Sequence, residues 1–263
     1  MRIAGATVLL TGATGGIGHA IARAVAARGG QLILTGRRVE TLDALAAELG
    51  ARALAVDLSD RVQVDRLIDD AGAVDLLIAN AALPASGGIE TFTVEELDRA
   101  LEVNLRAPIV LARALLPAML ARRNGHLLFM SSLSGKSATT GSAVYSATKF
   151  GLRGFAAGLR ADLHASGVGV STVFPGFIRD AGMFANSGVR LPPGVGTRSP
   201  DDVAHAVIEA IERNRAEVDV APLSLRAGAA VAGLAPELAM SVARRLGSDA
   251  IAREFAAAQR DKR

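Results

Sequence analysis

The chain has one tyrosine, Tyr145, and it stands four residues before Lys149 in the run Tyr145-Ser146-Ala147-Thr148-Lys149. On a helix that spacing puts a phenol and an amine on one face. A free phenol has a pKa of about 10 and is rarely ionised at neutral pH. A nearby ammonium favours the phenolate. A depression of about three units corresponds to ~4 kcal/mol of differential stabilisation, and one close ammonium in a partly desolvated site supplies a good part of it. Such a phenol serves as general base toward an alcohol and general acid toward a carbonyl. Thirteen residues before Tyr145 lies Ser132, with Ser131 beside it; alternation along a strand puts the two hydroxyls on opposite faces.

A second cluster lies near the N-terminus: Thr11-Gly12-Ala13-Thr14-Gly15-Gly16-Ile17-Gly18 follows an apolar strand candidate and opens a helix candidate. Gly12 allows a tight turn. Gly16 and Gly18 let the backbone approach a pyrophosphate and let strand approach helix, while the helix N-terminus offers unpaired N–H groups and a positive dipole end. The candidate cofactor contacts here are Gly12, Thr14, Gly16, Ile17 and Gly18. A dinucleotide cradle together with a Ser/Tyr/Lys group points to hydride transfer between a nicotinamide and an alcohol or carbonyl. In a dinucleotide fold an acidic residue ending the second strand accepts hydrogen bonds from the ribose 2′-OH. The corresponding position is Gly36, followed by Arg37 and Arg38. Without the acid there is no repulsion of a 2′-phosphate, and arginine forms charge-assisted bonds to one. NADP(H) is therefore favoured, with NAD(H) as the alternative; a purely solvating Arg37-Arg38 pair is the bland reading.

Gly-x-x-x-Gly-x-Gly at 12–18, Ser132 and Tyr145-x-x-x-Lys149, in this order and spacing, resemble the short-chain dehydrogenase/reductase family over residues 7 to about 220. The resemblance implies a single Rossmann-type domain with a seven-stranded parallel sheet. It selects Ser132 over Ser131 by the thirteen-residue spacing, gives Ser132 the reacting oxygen to position, and gives Lys149 the nicotinamide ribose as well. Asn104, in Val103-Asn104-Leu105, resembles a fourth catalytic residue that interrupts a helix and holds a water linking Lys149 to solvent. Asp57-Leu58 resembles the adenine contact. Asn80-Ala81-Ala82 resembles an Asn-Ala-Gly motif, with Ala82 in place of the glycine, strained if that position needs positive φ. Pro175-Gly176-Phe177-Ile178 resembles the nicotinamide pocket wall, giving Pro175, Gly176 and Ile178 as contacts. Two departures stand out. NADP-dependent relatives often carry a basic residue where Gly15 stands. Asp180 replaces a Thr or Ser, and an ionised carboxylate can hold the carboxamide NH2 but not its oxygen; pairing with Arg179 or Arg190 is its other role. The family also implies homodimers or homotetramers packed on the helix bearing Tyr145, where Gly151, Gly154, Ala157 and Gly158 permit close approach.

The elements that must position these groups alternate. Strand candidates fall at 7–11, 31–35, 53–56, 75–79, 126–131, 168–174 and 217–220. Helix candidates fall at 17–28, 39–49, 60–71, 94–123 with a break near 104–108, 144–165 and 200–213. Most of the strands are apolar throughout, as in a parallel sheet covered on both faces, and the alternation gives a doubly wound α/β sheet of about seven strands. With no Pro/Ser-rich linker and no repeat, 1–263 reads as one domain: a core at 5–220, a candidate lid at 177–199 over the substrate, and a C-terminal helical extension at 221–263. That extension reads as helices packed on the core or on a partner subunit, or more sharply as a lipid-facing or substrate-gating surface.

Composition narrows the rest. Half of the 263 residues are hydrophobic, only 3% are aromatic and Trp is absent, so aliphatic side chains fill the core. With no Cys, disulfides, thiol nucleophiles and cysteine-ligated metals are excluded, and His19, His126, His164 and His205 lack ligand spacing, so no metal is expected. A net charge of +3 from dispersed residues does not make a nucleic-acid surface. No stretch approaches a membrane span of ~20 apolar residues, and no targeting signal is read at the N-terminus; a cytoplasmic enzyme is expected, with peripheral membrane attachment through the C-terminal helices as the alternative. The expected substrate is a small secondary alcohol or ketone, lipophilic if Phe177, Ile178, Met183, Phe184, Val189 and Leu191 line the lid. A non-catalytic dinucleotide-binding sensor or scaffold, and an epimerase or lyase that recycles its nicotinamide, are the alternatives.

Overall fold

The computed structural model describes residues 1–191, 195–245 and 248–262. Seven strands form one parallel sheet: β1 (Thr7–Thr11), β2 (Gln31–Gly36), β3 (Arg52–Ala55), β4 (Leu76–Ala79), β5 (Gly125–Met130), β6 (Val168–Pro175) and β7 (Glu217–Val220). The order is β3-β2-β1-β4-β5-β6-β7. Strand order therefore reverses between β1 and β4, and the crevice beyond their C-terminal ends is where such sheets bind ligands. Register is continuous there, with Val8, Leu9 and Leu10 opposite Leu76, Leu77 and Ile78.

Alternation within β1 makes the two-faced core. Val8 and Leu10 pack with Ile21 and Val25 of α1 (Gly16–Ala26), Leu42 and Leu45 of α2 (Val39–Leu49), and residues 203, 207 and 211 of α8 (Pro200–Glu212). Leu9 faces the other way, toward Val64 and Leu67 of α3 (Arg61–Ala71), Leu111 and Leu115 of α5 (Ala107–Arg122) and Leu152 of α6 (Ala143–Asp162). These side chains are essentially fully buried, and each contributes roughly 1.5–3 kcal/mol relative to exposure. The helix ends agree with their local chemistry. Asp60 caps α3 through Val62 and Gln63 N–H, and Ser199 with Asp202 forms a capping box on α8.

Residues 94–122 form a helical run of spanning length and apolarity, contrary to the expectation that no stretch comes near one. It is a core helix: Leu111, Leu115 and Met119 pack under the sheet. It also breaks into α4 (Val94–Leu101) and α5 around a π-helical turn at Glu102–Arg106, where the sequence placed the interruption.

Beyond β6 the chain makes an excursion carrying the short helix α7 (Gly182–Ala185). Its base is closed by Arg179 N–H to Arg198 O and Arg198 N–H to Phe177 O. Part of the expected lid, residues 192–194, lies outside the described residues. The extension is helical, as expected: α9 (Leu223–Leu234), α10 (Pro236–Arg245) and α11 (Ser248–Gln259), with 246, 247 and 263 outside the described residues. Arg226 Nε, 3.8 Å from Asp219, ties α9 to the end of β7. Thr140 donates to Asp249 at 2.6 Å and ties the start of α11 to the loop before α6.

Candidate active site

At the crevice, β1 ends at Thr11 and the chain turns at Gly12, whose φ of 67° is costly for any residue with a side chain. A Cβ on Gly12 would also lie 2.7 Å from the Ala81 Cα, and one on Gly18 would lie 2.2 Å from the Gly12 carbonyl oxygen. Asn80 clamps the two strand ends together. Its Nδ2 donates to Thr11 O at 3.1 Å and Gly12 O at 3.2 Å, and its N–H, with that of Ala81, donates to Thr11 Oγ1. Gly15, the residue before α1, offers no side chain to cap the helix, so the first-turn N–H groups face the crevice as an anion cradle. The excursion after β6 reaches this turn too: a Cβ on Gly16 would fall 2.4 Å from the Ala181 Cβ. The cradle fits a dinucleotide diphosphate and leaves no room for side chains. Ala82 is not among the residues at positive φ, so alanine is unstrained there.

Beside the cradle, β2 ends at Gly36 with no carboxylate. Arg37, half-exposed, lies 3.9 Å from Asp57, and Arg38 donates to Thr14 O. Both line the same cavity as Asp57 and Leu58. Burial alone would raise the Asp57 pKa, but hydrogen bonds from Ser59 and the charge of Arg37 hold it below its ordinary value.

The second cluster sits at the C-terminal end of β5. Ser131 turns away and donates to Lys149 O at 3.1 Å. Ser132 lines the crevice beside Tyr145; its Oγ donates to Pro175 O at 3.4 Å and accepts from Ser134 N–H at 3.2 Å. Lys149, 1% exposed, donates from Nζ to Met130 O at 3.0 Å and lies 5.6 Å from the Tyr145 ring centroid. The two α6 residues share a face, as their spacing requires.

The electrostatics depart from the expectation. Burial pushes the Tyr145 phenol up to about 12, with the Ser132 hydrogen bond acting in the opposite direction. Burial also brings Lys149 down to about 8. Desolvation thus outweighs the help that one ammonium was expected to give, and the protein's own groups hold Tyr145 as a neutral phenol, a proton donor.

Two further residues acquire definite partners. Asn104 lies in the π-helical turn and is fully buried, but its side chain is committed elsewhere: Oδ1 accepts from Leu83 N–H at 2.7 Å and Nδ2 donates to Leu83 O at 3.0 Å. It braces the segment after Ala82. Asp180 adopts φ 68°, a conformation that Asp tolerates better than most residues. Its exposed carboxylate pairs with Arg179 at 3.4 Å and does not line the cavity.

The cavity, about 930 Å³, runs from the glycine turn past Tyr145 to the lid. Pro175, Gly176, Ile178, Met183, Phe184, Val189 and Leu191 line it as expected. So do residues of the C-terminal extension that the sequence did not single out: Leu225 and Ala229 of α9, and Ala252, Phe255 and Gln259 of α11. Their helical spacings, four apart in α9 and then three and four apart in α11, put each set on one side of its helix.

A doubly wound sheet with a diphosphate cradle at its switch point and a Ser/Tyr/Lys group beside it defines a dinucleotide-binding oxidoreductase. The model of the short chain dehydrogenase family matches residues 6–190, and the chain belongs to that family. A ketoacyl reductase of Nostoc sp., HetN, is 35% identical over 228 residues, covering 83% of this chain and 79% of its own. A short-chain dehydrogenase from Sphingobium yanoikuyae, solved in complex with NADPH, is 30% identical with a TM-score of 0.77, covering 88% of this chain and 96% of its own. A putative betaketoacyl-ACP reductase structure is 29% identical with a TM-score of 0.76, covering 83% and 97%.

Proposed function

We propose that the protein is an NADP(H)-preferring reductase of ketones, working reversibly on the corresponding secondary alcohols, with Tyr145 as the general acid and base. The observation that carries this reading is the Tyr145 phenol, with Ser132 beside it and Lys149 behind it, on the wall of the cavity that begins at the glycine turn. A nicotinamide cofactor, when bound, supplies or accepts the hydride. Gly12, Thr14, Gly16, Ile17, Gly18, Asn80 and Ala81 would hold its diphosphate side, Asp57 and Leu58 its adenine side, and Pro175, Gly176 and Ile178 its nicotinamide side. Arg37 and Arg38, with no acid at Gly36, suit a 2′-phosphate.

Tyr145 gives its proton to the carbonyl oxygen of the ketone, and Ser132 donates a hydrogen bond to that same oxygen, holding it against the phenol. A phenol held neutral is the form that reduction needs. Lys149, tethered to Met130 O, places an ammonium behind the phenolate that the transfer leaves. The apolar lid and α9 favour a lipophilic ketone. Consumption of NADPH with a panel of such ketones tests the reading: turnover lost in Tyr145→Phe with NADPH binding retained supports it, and unchanged turnover in that variant refutes it.

The same proposal extends to assembly. Gly154 and Gly158 on α6 are exposed, and a Cβ at either would meet nothing within 4 Å. That open face suits packing against a second copy as a homodimer or homotetramer, and a monomeric mass by light scattering would refute it. The cytoplasm is the proposed location.

A further inference from the structure

Gln259, near the end of α11, is a polar side chain in an apolar stretch of the cavity wall. It is 2% exposed and lines the cavity shared with Tyr145. Its Nε2 donates to Met183 O in α7 at 3.3 Å, which fixes the orientation of the amide, since a carbonyl needs the nitrogen rather than the oxygen. Its Oε1 is then an enclosed acceptor with no donor. An amide oxygen left unpaired in a buried place is unfavourable, and native structures satisfy nearly all such atoms. A leucine would pack against Met183, Phe184 and Phe255 without that cost.

We infer that Gln259 is a substrate-specificity residue whose amide oxygen accepts a hydrogen bond from an O–H or N–H group that the substrate carries away from its reacting carbonyl. This rests on the reductase reading only for where the carbonyl sits, against Tyr145. The cavity that Gln259 lines is the route by which a donor reaches it, and Met183, its present partner, belongs to the lid that such a substrate must displace or underlie. The substrate class is thus a ketone with an apolar body and a distal hydroxyl or amide. A site with a buried acceptor discriminates against an analogue lacking the donor, because the acceptor then stays unpaired.

The test uses methyl ketones of graded chain length and their ω-hydroxy counterparts, measured for affinity by calorimetry on the NADPH-loaded protein and for kcat and KM by NADPH consumption. At the chain length that reaches Gln259, the hydroxyl tightens binding about tenfold, the worth of one net hydrogen bond, and lowers KM with little change in kcat. Gln259→Leu abolishes that preference while binding the plain ketone as well or better. Asp249→Ala, which frees the start of α11 from Thr140, weakens both ketones alike and so separates a scaffold effect from reading of the hydroxyl. Equal affinity for both series at every length, or a preference that survives Gln259→Leu, overturns the assignment. A preference in binding with no turnover of any ketone upholds Gln259 and counts against the reductase reading instead.

Discussion

Removing the guanidinium of Arg37 should raise the Kd for NADPH about 5- to 30-fold and leave that for NADH nearly unchanged. A hydrogen bond to a charged group is worth roughly 1.5–3 kcal/mol. Arg37 is 49% exposed, and screening at such a site reduces the figure to about 1–2 kcal/mol, which is the factor stated. Two structural terms bear on it. The Arg37–Asp57 contact, at 3.9 Å between partly exposed groups, is worth at most about 1 kcal/mol, so releasing Arg37 to a phosphate costs little. Arg38 is engaged with Thr14 O and does not simply take over. Titration of wild type and Arg37→Ala with both cofactors, followed by nicotinamide fluorescence at two salt concentrations, reads the difference directly. Wild-type affinity for NADPH should fall with salt, and the variant should lose much of that dependence. Equal loss for NADPH and NADH would mean that Arg37 holds the fold or the adenosine and not the phosphate. No loss at all would refute the reading of the Gly36-Arg37 end of β2.

Tyr145→Phe should lower kcat for ketone reduction about 10²- to 10⁴-fold, the usual worth of a positioned proton donor, with NADPH affinity unchanged by titration. Gly18→Ala should cost several-fold or more in NADPH affinity, with a lowered Tm, because its Cβ would fall 2.2 Å from the Gly12 carbonyl oxygen; cofactor affinity equal to wild type would show the turn to be more yielding than its geometry implies. Asn104→Ala should destabilise the protein by roughly 2–4 kcal/mol in denaturant titration, since it leaves Leu83 N–H and C=O without their buried partners. His126 should make the fold acid-labile. Burial, the N-terminal ammonium and Arg160 lower its pKa from 6.5 to about 3, so below pH 6.5 the unfolded chain takes up a proton that the folded chain refuses. Stability from this group is present above pH 6.5 and is lost as pH falls toward 3, by about 3–5 kcal/mol in all. His126→Asn should flatten that part of the stability profile, and an unchanged slope would point to the carboxylates instead.

The sequence by itself determined the sheet and the family. Apolar strand runs separated by helical patterns leave few topologies, and the boundaries of all seven strands fall within about a residue or two of expectation, as local pattern allows. The turn at 12–18 and the Tyr145/Lys149 spacing are also local, so their geometry follows from one strand-turn-helix and one helix. Only the tertiary structure decided what depends on distant segments meeting. Burial by several elements at once sets the phenol high and the lysine low, against an expectation built from one neighbouring charge. Asn104 could be read as interrupting a helix, but its commitment to Leu83 depends on a contact across 21 residues. Asp180 could be seen to depart from pattern, but its left-handed backbone and outward carboxylate arise from how the excursion after β6 closes on Arg198. The cavity wall formed by the C-terminal helices is the clearest case. Helical spacing puts Ala252, Phe255 and Gln259 on one side of α11, yet which surface that side covers is set by packing between parts of the chain separated by 76 residues, as for Gln259 and Met183, and no local pattern encodes such a meeting.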